Sequence, residues 1–287
     1  MFDFKCYLCG NGSYKQRQGY ARDNEHLVPL ECTKCGLVQL SSFDHISQCF
    51  YEDAHMHDNL PVPSEAVLQR TQEDTNRRLA QFQSDLTGRR LLDVGCGRGD
   101  FLLAARPFAA SVCGVEPERR LAQLFKKQKL TVYPYLEDIS KYNKFDIITL
   151  FHVLEHSKNP IGMLSLLCNF IENKNGICIV EVPNANDILL SVYRNKNFSK
   201  FVYWSCHLFL FTEETLRQCA EKAGLKTIRV MQCQRYPLTN HLYWLAEGKP
   251  GGQDVYTSLA DNELNMAYAK VLAKNKLCDT IIGVFTV

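Results

Sequence analysis

The chain has 287 residues, 46% of them hydrophobic, enough for one substantial core and a small appendage but short for two full catalytic domains. Thirty-three Lys and Arg against 31 Asp and Glu leave a formal charge of +2, so composition supplies no footprint for DNA or RNA, and a nucleic-acid partner is not expected. No apolar run approaches the roughly 18 residues of a membrane span, and the opening MFDFKCYLCG lacks the order of a secretory signal; the expected compartment is the cytoplasm.

Four of the thirteen cysteines are clustered. Cys6-Tyr-Leu-Cys9-Gly10 and Cys32-Thr-Lys-Cys35-Gly36 are matched C-x-x-C-G knuckles separated by a polar stretch suited to a short hairpin. Each knuckle brings two thiolates to one tetrahedral ion, and the glycine permits the tight turn that follows. Cys6, Cys9, Cys32 and Cys35 are therefore expected to bind structural zinc, closed to chemistry because all four positions are filled. The other nine cysteines sit singly in apolar segments and read as small buried hydrophobes. Residues 1–42 form the expected zinc module and 43–63 a linker, aromatic and histidine-rich up to Pro61-Val-Pro63; His55 and His57 in it lack a third ligand nearby. A long helix with a polar face is predicted over about 64–86.

Arg90-Leu-Leu-Asp93-Val-Gly95-Cys-Gly97-Arg-Gly99-Asp-Phe-Leu-Leu then reads as a short apolar strand, a glycine turn and an amphipathic helix. The acid two residues before the first glycine suits backbone approach to an amino-acid moiety rather than a pyrophosphate. Ser111–Glu116 is the second strand, and its terminal carboxylate, 23 residues after Asp93, is placed to accept both hydroxyls of a ribose. There follow a helix over 117–129, a strand near 130–134, a strand running from Phe145 into Phe151-His152-Val-Leu-Glu155-His156, and a helix ending at Asn175-Gly176. Ile177–Pro183 is the fifth strand. Strand and helix alternate, so the fold class is α/β with a mainly parallel, doubly wound sheet and a ligand crevice at the strands' carboxyl ends.

DVGCGRGDFL, the GVEP turn, FDIITLFHVLEHSKNP and NGICIVEVPN occur in order at the proper distances. Together they resemble class I S-adenosylmethionine (SAM)-dependent methyltransferases of the UbiG-like branch, over about 64–287. The resemblance implies a seven-stranded Rossmann-like sheet finished by a hairpin whose last strand inserts antiparallel, with residues 225–233 and 279–287 as candidates. It also implies that Asp93, Gly95, Gly97 and Gly99 line the methionine end of SAM and Glu116 holds its ribose. Leu136 and Glu137 would flank adenine, and Phe151 and His152 would face the cofactor.

Joined to the zinc knuckles, this core is similar to bacterial methyltransferases of deoxysugar and surface-glycan pathways. The sugar C-methyltransferases among them carry a further C-terminal domain for which this chain has no room, so O- or N-methylation of a sugar or nucleotide-linked sugar is expected. Tyr203-Trp-Ser-Cys-His207-Leu-Phe-Leu-Phe-Thr212 matches the family segment in which a histidine precedes F-T/S-x-x-x-L. Histidine's near-neutral pKa suits removal of a hydroxyl proton, making His207 the first candidate base and His156 the second, with no metal required for the step. Tyr51, Tyr203, Arg235 and Asn240 are candidate acceptor contacts, Arg235 through a phosphate. Lys249-Pro-Gly251-Gly252 reads as a surface loop or lid. An RNA base methyltransferase with a zinc module, or a SAM-binding protein without turnover, are the alternatives.

Overall fold

The computed structural model describes residues 5–47, 49–53, 65–172 and 175–287, with only the backbone of residues 65–67. Three short strands open the chain: β1 (Tyr14–Gln16), β2 (Pro29–Cys32) and β3 (Val38–Leu40). Helix α1 (Glu65–Leu86) leads into β4 (Arg90–Val94), α2 (Asp100–Ala105), β5 (Ser111–Val115), α3 (Ala122–Gln128), β6 (Val132–Tyr133), β7 (Ile147–Phe151), α4 (Pro160–Cys168) and β8 (Ile177–Pro183). Two short helices, α5 (Ile188–Ser191) and α6 (Lys196–Val202), precede β9 (Phe209–Leu210), α7 (Glu213–Lys222) and β10 (Lys226–Cys233). Helices α8 (Leu238–Glu247), α9 (Gly252–Val255) and α10 (Asn262–Lys274) then separate β10 from the last strand, β11 (Thr280–Thr286).

The large sheet runs β10-β11-β8-β7-β4-β5-β6. Its five central and edge strands from β8 to β6 are parallel, and β11 lies antiparallel between β8 and β10. This is the doubly wound methyltransferase sheet expected from the motif order. Helices cover both faces, so β7 reads as the uninterrupted apolar run Ile-Ile-Thr-Leu-Phe and is buried at every residue. The strand order reverses between β7 and β4, and a crevice opens there beyond the strands' carboxyl ends.

Two expectations are corrected. Helix α4, capped by Asn159 and opened by Pro160, stops at Cys168 rather than near Gly176. Ile171 instead bridges Phe145 in parallel, the Phe145 N–H donates to the Phe170 carbonyl oxygen at 2.8 Å, and Phe170 and Ile171 are both buried. The Lys249–Gly252 segment is not an open lid, because a Cβ on Gly252 would lie 2.0 Å from the carbonyl oxygen of Thr239. Only glycine allows α9 to pack so closely on α8.

The N-terminal sheet is completed by the larger unit: its order is β1-β2-β3-β9, with Val38 opposite Leu210 and Gln39 opposite Phe209. Phe209 is buried among Tyr7, Phe43 and Phe211, with ring centroids 5.1–6.1 Å away. Asp23 accepts from the backbone N–H and hydroxyl of Ser205 at 2.9 and 2.6 Å, and the Arg22 guanidinium lies 4.5 Å from the Trp204 ring centroid. The zinc-type module thus grips the segment that carries His207.

Candidate active site

Gly95, Gly97 and Gly99 all adopt left-handed backbone conformations, with φ of +68°, +51° and +81°. At Gly95 a Cβ would meet the Val153 side chain at 2.4 Å, so the loop turns tightly only because the side chain is missing. The Gly97 N–H donates to one carboxylate oxygen of Glu116 at 2.9 Å, and the Glu118 N–H donates to the other at 3.0 Å. Two backbone donors therefore fix the Glu116 carboxylate at the carboxyl end of β5, while a carboxylate retains lone pairs for further donors. Asp93, 3% exposed, accepts from the Thr149 hydroxyl at 2.6 Å across the β4–β7 pair. Burial raises its pKa to about 7 against the lowering effect of that bond. Leu136 is buried and Glu137 exposed on the turn after β6. A glycine cradle free of Cβ atoms beside two fixed acids fits the amino-acid and ribose parts of SAM.

Phe151 packs edge-on to Phe101 at 4.9 Å, and the Arg78 guanidinium stands over its ring at 4.4 Å. His152, which ends the strand, has the left-handed φ of +57°, rare for a residue with a side chain. That turn aims its imidazole into a charged network rather than openly at a cofactor. Nδ1 is 3.3 Å from Glu155, while Nε2 is 3.2 Å from Glu181 and 3.1 Å from the Arg235 guanidinium. Glu181 on β8 is 0% exposed and held by Arg77 at 2.9 Å and Arg78 at 2.6 Å, both from α1. Burial opposes its charge, but these cations and His152 keep its pKa well below the usual carboxylate range. The sequence reading assigned nothing to Glu155, Glu181, Arg77 or Arg78. The one hint was a pair of adjacent arginines in a helix that precedes the glycine loop.

The structure brings the two candidate bases together. His156 and His207 have ring centroids 5.0 Å apart. Nδ1 of His156 lies 2.7 Å from the carbonyl oxygen of Cys206, and Nδ1 of His207 lies 2.9 Å from that of Val202. A carbonyl only accepts, so each Nδ1 carries a proton. Burial, reinforced by His156, pushes the His207 pKa down to about 4, which keeps it neutral at physiological pH.

The four acceptor candidates separate. Tyr51 stands beside the histidine pair, its hydroxyl donating to the His156 carbonyl oxygen at 2.8 Å. Asn240 lines a cleft with Phe198, Phe201, Tyr236, His241 and Trp244. Arg235 is corrected: its guanidinium is engaged by Asp74 at 2.9 Å and by His152, and is not offered to a phosphate. Tyr203 is also corrected, because it is buried with Val38, Ala185 and Leu210 where the N-terminal sheet meets the larger unit.

Cys6, Cys9, Cys32 and Cys35 converge with all four Sγ atoms within 4.8 Å of one another. The Cys6–Cys35 and Cys9–Cys32 separations of 3.6 and 3.5 Å approach the roughly 3.8 Å edge of a tetrahedron with 2.3 Å zinc–sulfur bonds. Around Cys32, burial is outweighed by the Cys35 N–H, the Asn11 amide and the Lys34 N–H, which bring its thiol down to about 6. The donor set fits zinc. His55 and His57 lie outside the described residues.

A family model described as "Methyltransferase domain" matches residues 68–230. The tRNA U34 carboxymethyltransferase of Campylobacter jejuni is 27% identical over 169 residues, 55% of this chain and 56% of that protein. The ubiquinone biosynthesis O-methyltransferase of Coxiella burnetii is 29% identical over 182 residues, 55% of this chain and 72% of that protein. The chain thus spans about half the length of the tRNA-modifying relatives it matches. Among solved structures, a SAM-dependent methyltransferase from Archaeoglobus fulgidus superposes with a TM-score of 0.53 at 18% identity, over 78% of this chain and all of that one. A SAM-dependent methyltransferase from Thermotoga maritima, described as a possible histamine N-methyltransferase, gives 0.53 at 18%, over 83% and 97%. Both show the fold. Among the described residues no helix is long and apolar enough to cross a membrane. With its glycine loop, the acid after β5 and the matched domain in register, the chain belongs to the methyltransferase-domain family and has the class I methyltransferase fold.

Proposed function

We propose that the chain methylates an oxygen or nitrogen of a sugar or nucleotide-linked sugar. The observation that carries this reading is the His156–His207 pair, with 5.0 Å between ring centroids, beside the turn after β7 and the Tyr51 hydroxyl. The cavity lined by Phe198, Phe201, Tyr236 and Trp244 holds about 20 Å³, room for one water, and its polar groups are engaged within the chain: Asn240 accepts from the Gly251 N–H, Asp187 accepts from the Leu189 N–H, and His241 lies 2.9 Å from the Tyr268 hydroxyl. Tyr236 directly follows Arg235, whose guanidinium lies 3.1 Å from His152 at the carboxyl end of β7.

When bound, SAM supplies a methyl group on a sulfonium sulfur, which keeps the C–S electron pair as an acceptor lone pair forms the new bond. Glu116 and the glycine loop hold that cofactor. The His156–His207 pair activates the acceptor hydroxyl, whose proton must leave as the bond forms. The four N-terminal thiolates hold zinc and, through β3 and β9, position the His207 segment. The Glu116→Ala variant loses two hydrogen bonds from ribose to a charged acceptor, worth roughly 1.5–3 kcal/mol each. Titration calorimetry should show SAM binding at least about tenfold weaker; unchanged affinity would place the ribose elsewhere.

A second reading has a specific observation behind it, the named tRNA-modifying relatives, and the expectation that a nucleic-acid partner is unlikely does not stand against them. The deciding experiment supplies labelled SAM with a panel of nucleotide sugars and, separately, with unmodified tRNA. Label entering a nucleotide sugar supports the reading; label entering tRNA alone replaces it.

A further inference from the structure

We infer that Glu155, His156 and His207 form a binding site for one divalent cation, distinct from the four-cysteine cluster. A ligand atom from each of the three residues lies within 4.8 Å of the others. The gap from His156 Nε2 to the nearer Glu155 oxygen is 4.0 Å. Three ligands with bonds of about 2.0–2.2 Å to one ion stand roughly 3.3–3.8 Å apart. Closing the site therefore requires the side chains to draw together by about 0.5–1 Å.

Two further observations point to an ion. Both imidazoles donate Nδ1–H to a main-chain carbonyl, at 2.7 and 2.9 Å, which fixes the tautomer with Nε2 as ligand atom. Metal-ligating histidines are characteristically oriented by such a second bond. Glu155, moreover, is 0% exposed, and its Oε2 has no hydrogen-bond donor among the described residues. Its Oε1 lies 3.3 Å from His152 Nδ1 and 4.0 Å from His156 Nε2. A buried carboxylate oxygen without a donor is costly, and a cation supplies the missing charge. The backbone explains how the cluster is assembled. His156 and Glu155 share the short turn after β7, and the Leu208 N–H donates to the Glu155 carbonyl oxygen at 2.9 Å, which pins the His207 segment against that turn.

Two imidazoles and one carboxylate favour borderline ions such as Zn²⁺, Mn²⁺ or Fe²⁺ over the softer demands of the thiolate cluster. Three protein ligands leave open positions, and both histidines are partly exposed. An acceptor hydroxyl bound there would be acidified by the ion and would release its proton to solvent as its oxygen is methylated. The imidazoles then serve as ligands rather than as the base, contrary to the sequence-based expectation that no metal assists. The proposal rests on the acceptor reading above only for what the ion does, not for its binding.

The test uses the full chain loaded with one zinc per molecule on its cysteines, confirmed by elemental analysis, and titrated with Mn²⁺ alone. One Mn²⁺ per chain should bind, with electron-spin-echo modulation from two imidazole nitrogens, and Glu155→Gln and His207→Gln should each weaken it at least about tenfold. No Mn²⁺ or additional Zn²⁺ uptake by the folded wild type overturns the site, as does a spectrum without nitrogen coupling. That spectrum is read on wild-type protein, so a misfolded variant does not obscure the answer. A chain that binds Mn²⁺ in this way yet methylates no nucleotide sugar keeps the cation site and loses the acceptor reading.

Discussion

His207→Ala should lower kcat by about 10²–10⁴-fold while leaving SAM affinity nearly intact, because acceptor activation contributes only to the proton-transfer step. The imidazole's partners are the Val202 carbonyl and the His156 ring rather than Glu116 or Asp93. The loss falls on turnover whether the imidazole takes the proton itself or holds an ion that acidifies the hydroxyl. Steady-state kinetics on the active nucleotide sugar, with calorimetry for SAM, separate this from a loop-anchoring role. An anchor would raise the acceptor's KM or lower the melting temperature and spare kcat. Retention of more than about a tenth of wild-type kcat removes His207 from the chemistry.

Glu181→Ala is expected to destabilise the fold by about 3–5 kcal/mol, since it strands Arg77 and Arg78 opposite a partner that no longer exists. Urea unfolding with an unchanged slope would give the difference directly. Glu181→Leu on its own is no milder, because the guanidinium groups remain. The pH dependence follows from the direction of the shift. A carboxylate with a depressed folded pKa contributes stability above its ordinary value of about 4.3 and loses it as pH falls further. Asp93 acts oppositely: its pKa is raised to about 7, so its contribution is whole below the ordinary aspartate value and declines as pH rises toward 7. The wild type should therefore lose an acid-side contribution that Glu181→Ala lacks, narrowing the gap between them in acid.

The sequence made the sheet legible because each strand carries its own signal. Parallel strands buried on both faces read as short apolar runs, and Ile177–Pro183 is observed with those bounds. Residues 225–233 and 279–287 likewise contain β10 and β11. The end of α4 was misplaced because Asn175-Gly176 is a good stop signal, whereas the chain leaves the helix to bridge Phe145 through Ile171 ahead of β7 and β8, a contact invisible to local pattern. Site residues divided in the same way. Glu116 and the glycines are marked by spacing. Glu155 and Glu181 are not, since nothing nearby in the chain shows that one buries against two histidines and the other against two arginines from α1. Arg235 and Tyr203 look available in sequence, and only the fold reveals that Asp74 and the N-terminal sheet occupy them.

The pairing of Gln39 with Phe209 also constrains the order in which the molecule is made. The two cysteine knuckles are translated before the large sheet and their four thiolates can come together, but β3 then stands with an unpaired edge, all three of its residues destined for burial. Its partner is translated only after most of the large sheet, and such long-range pairing is slow and leaves edges open to other chains. The N-terminal segment on its own is consequently an aggregation-prone fragment rather than a portable zinc finger, and a nascent chain is safest when the sheet core folds before β3 finds another edge.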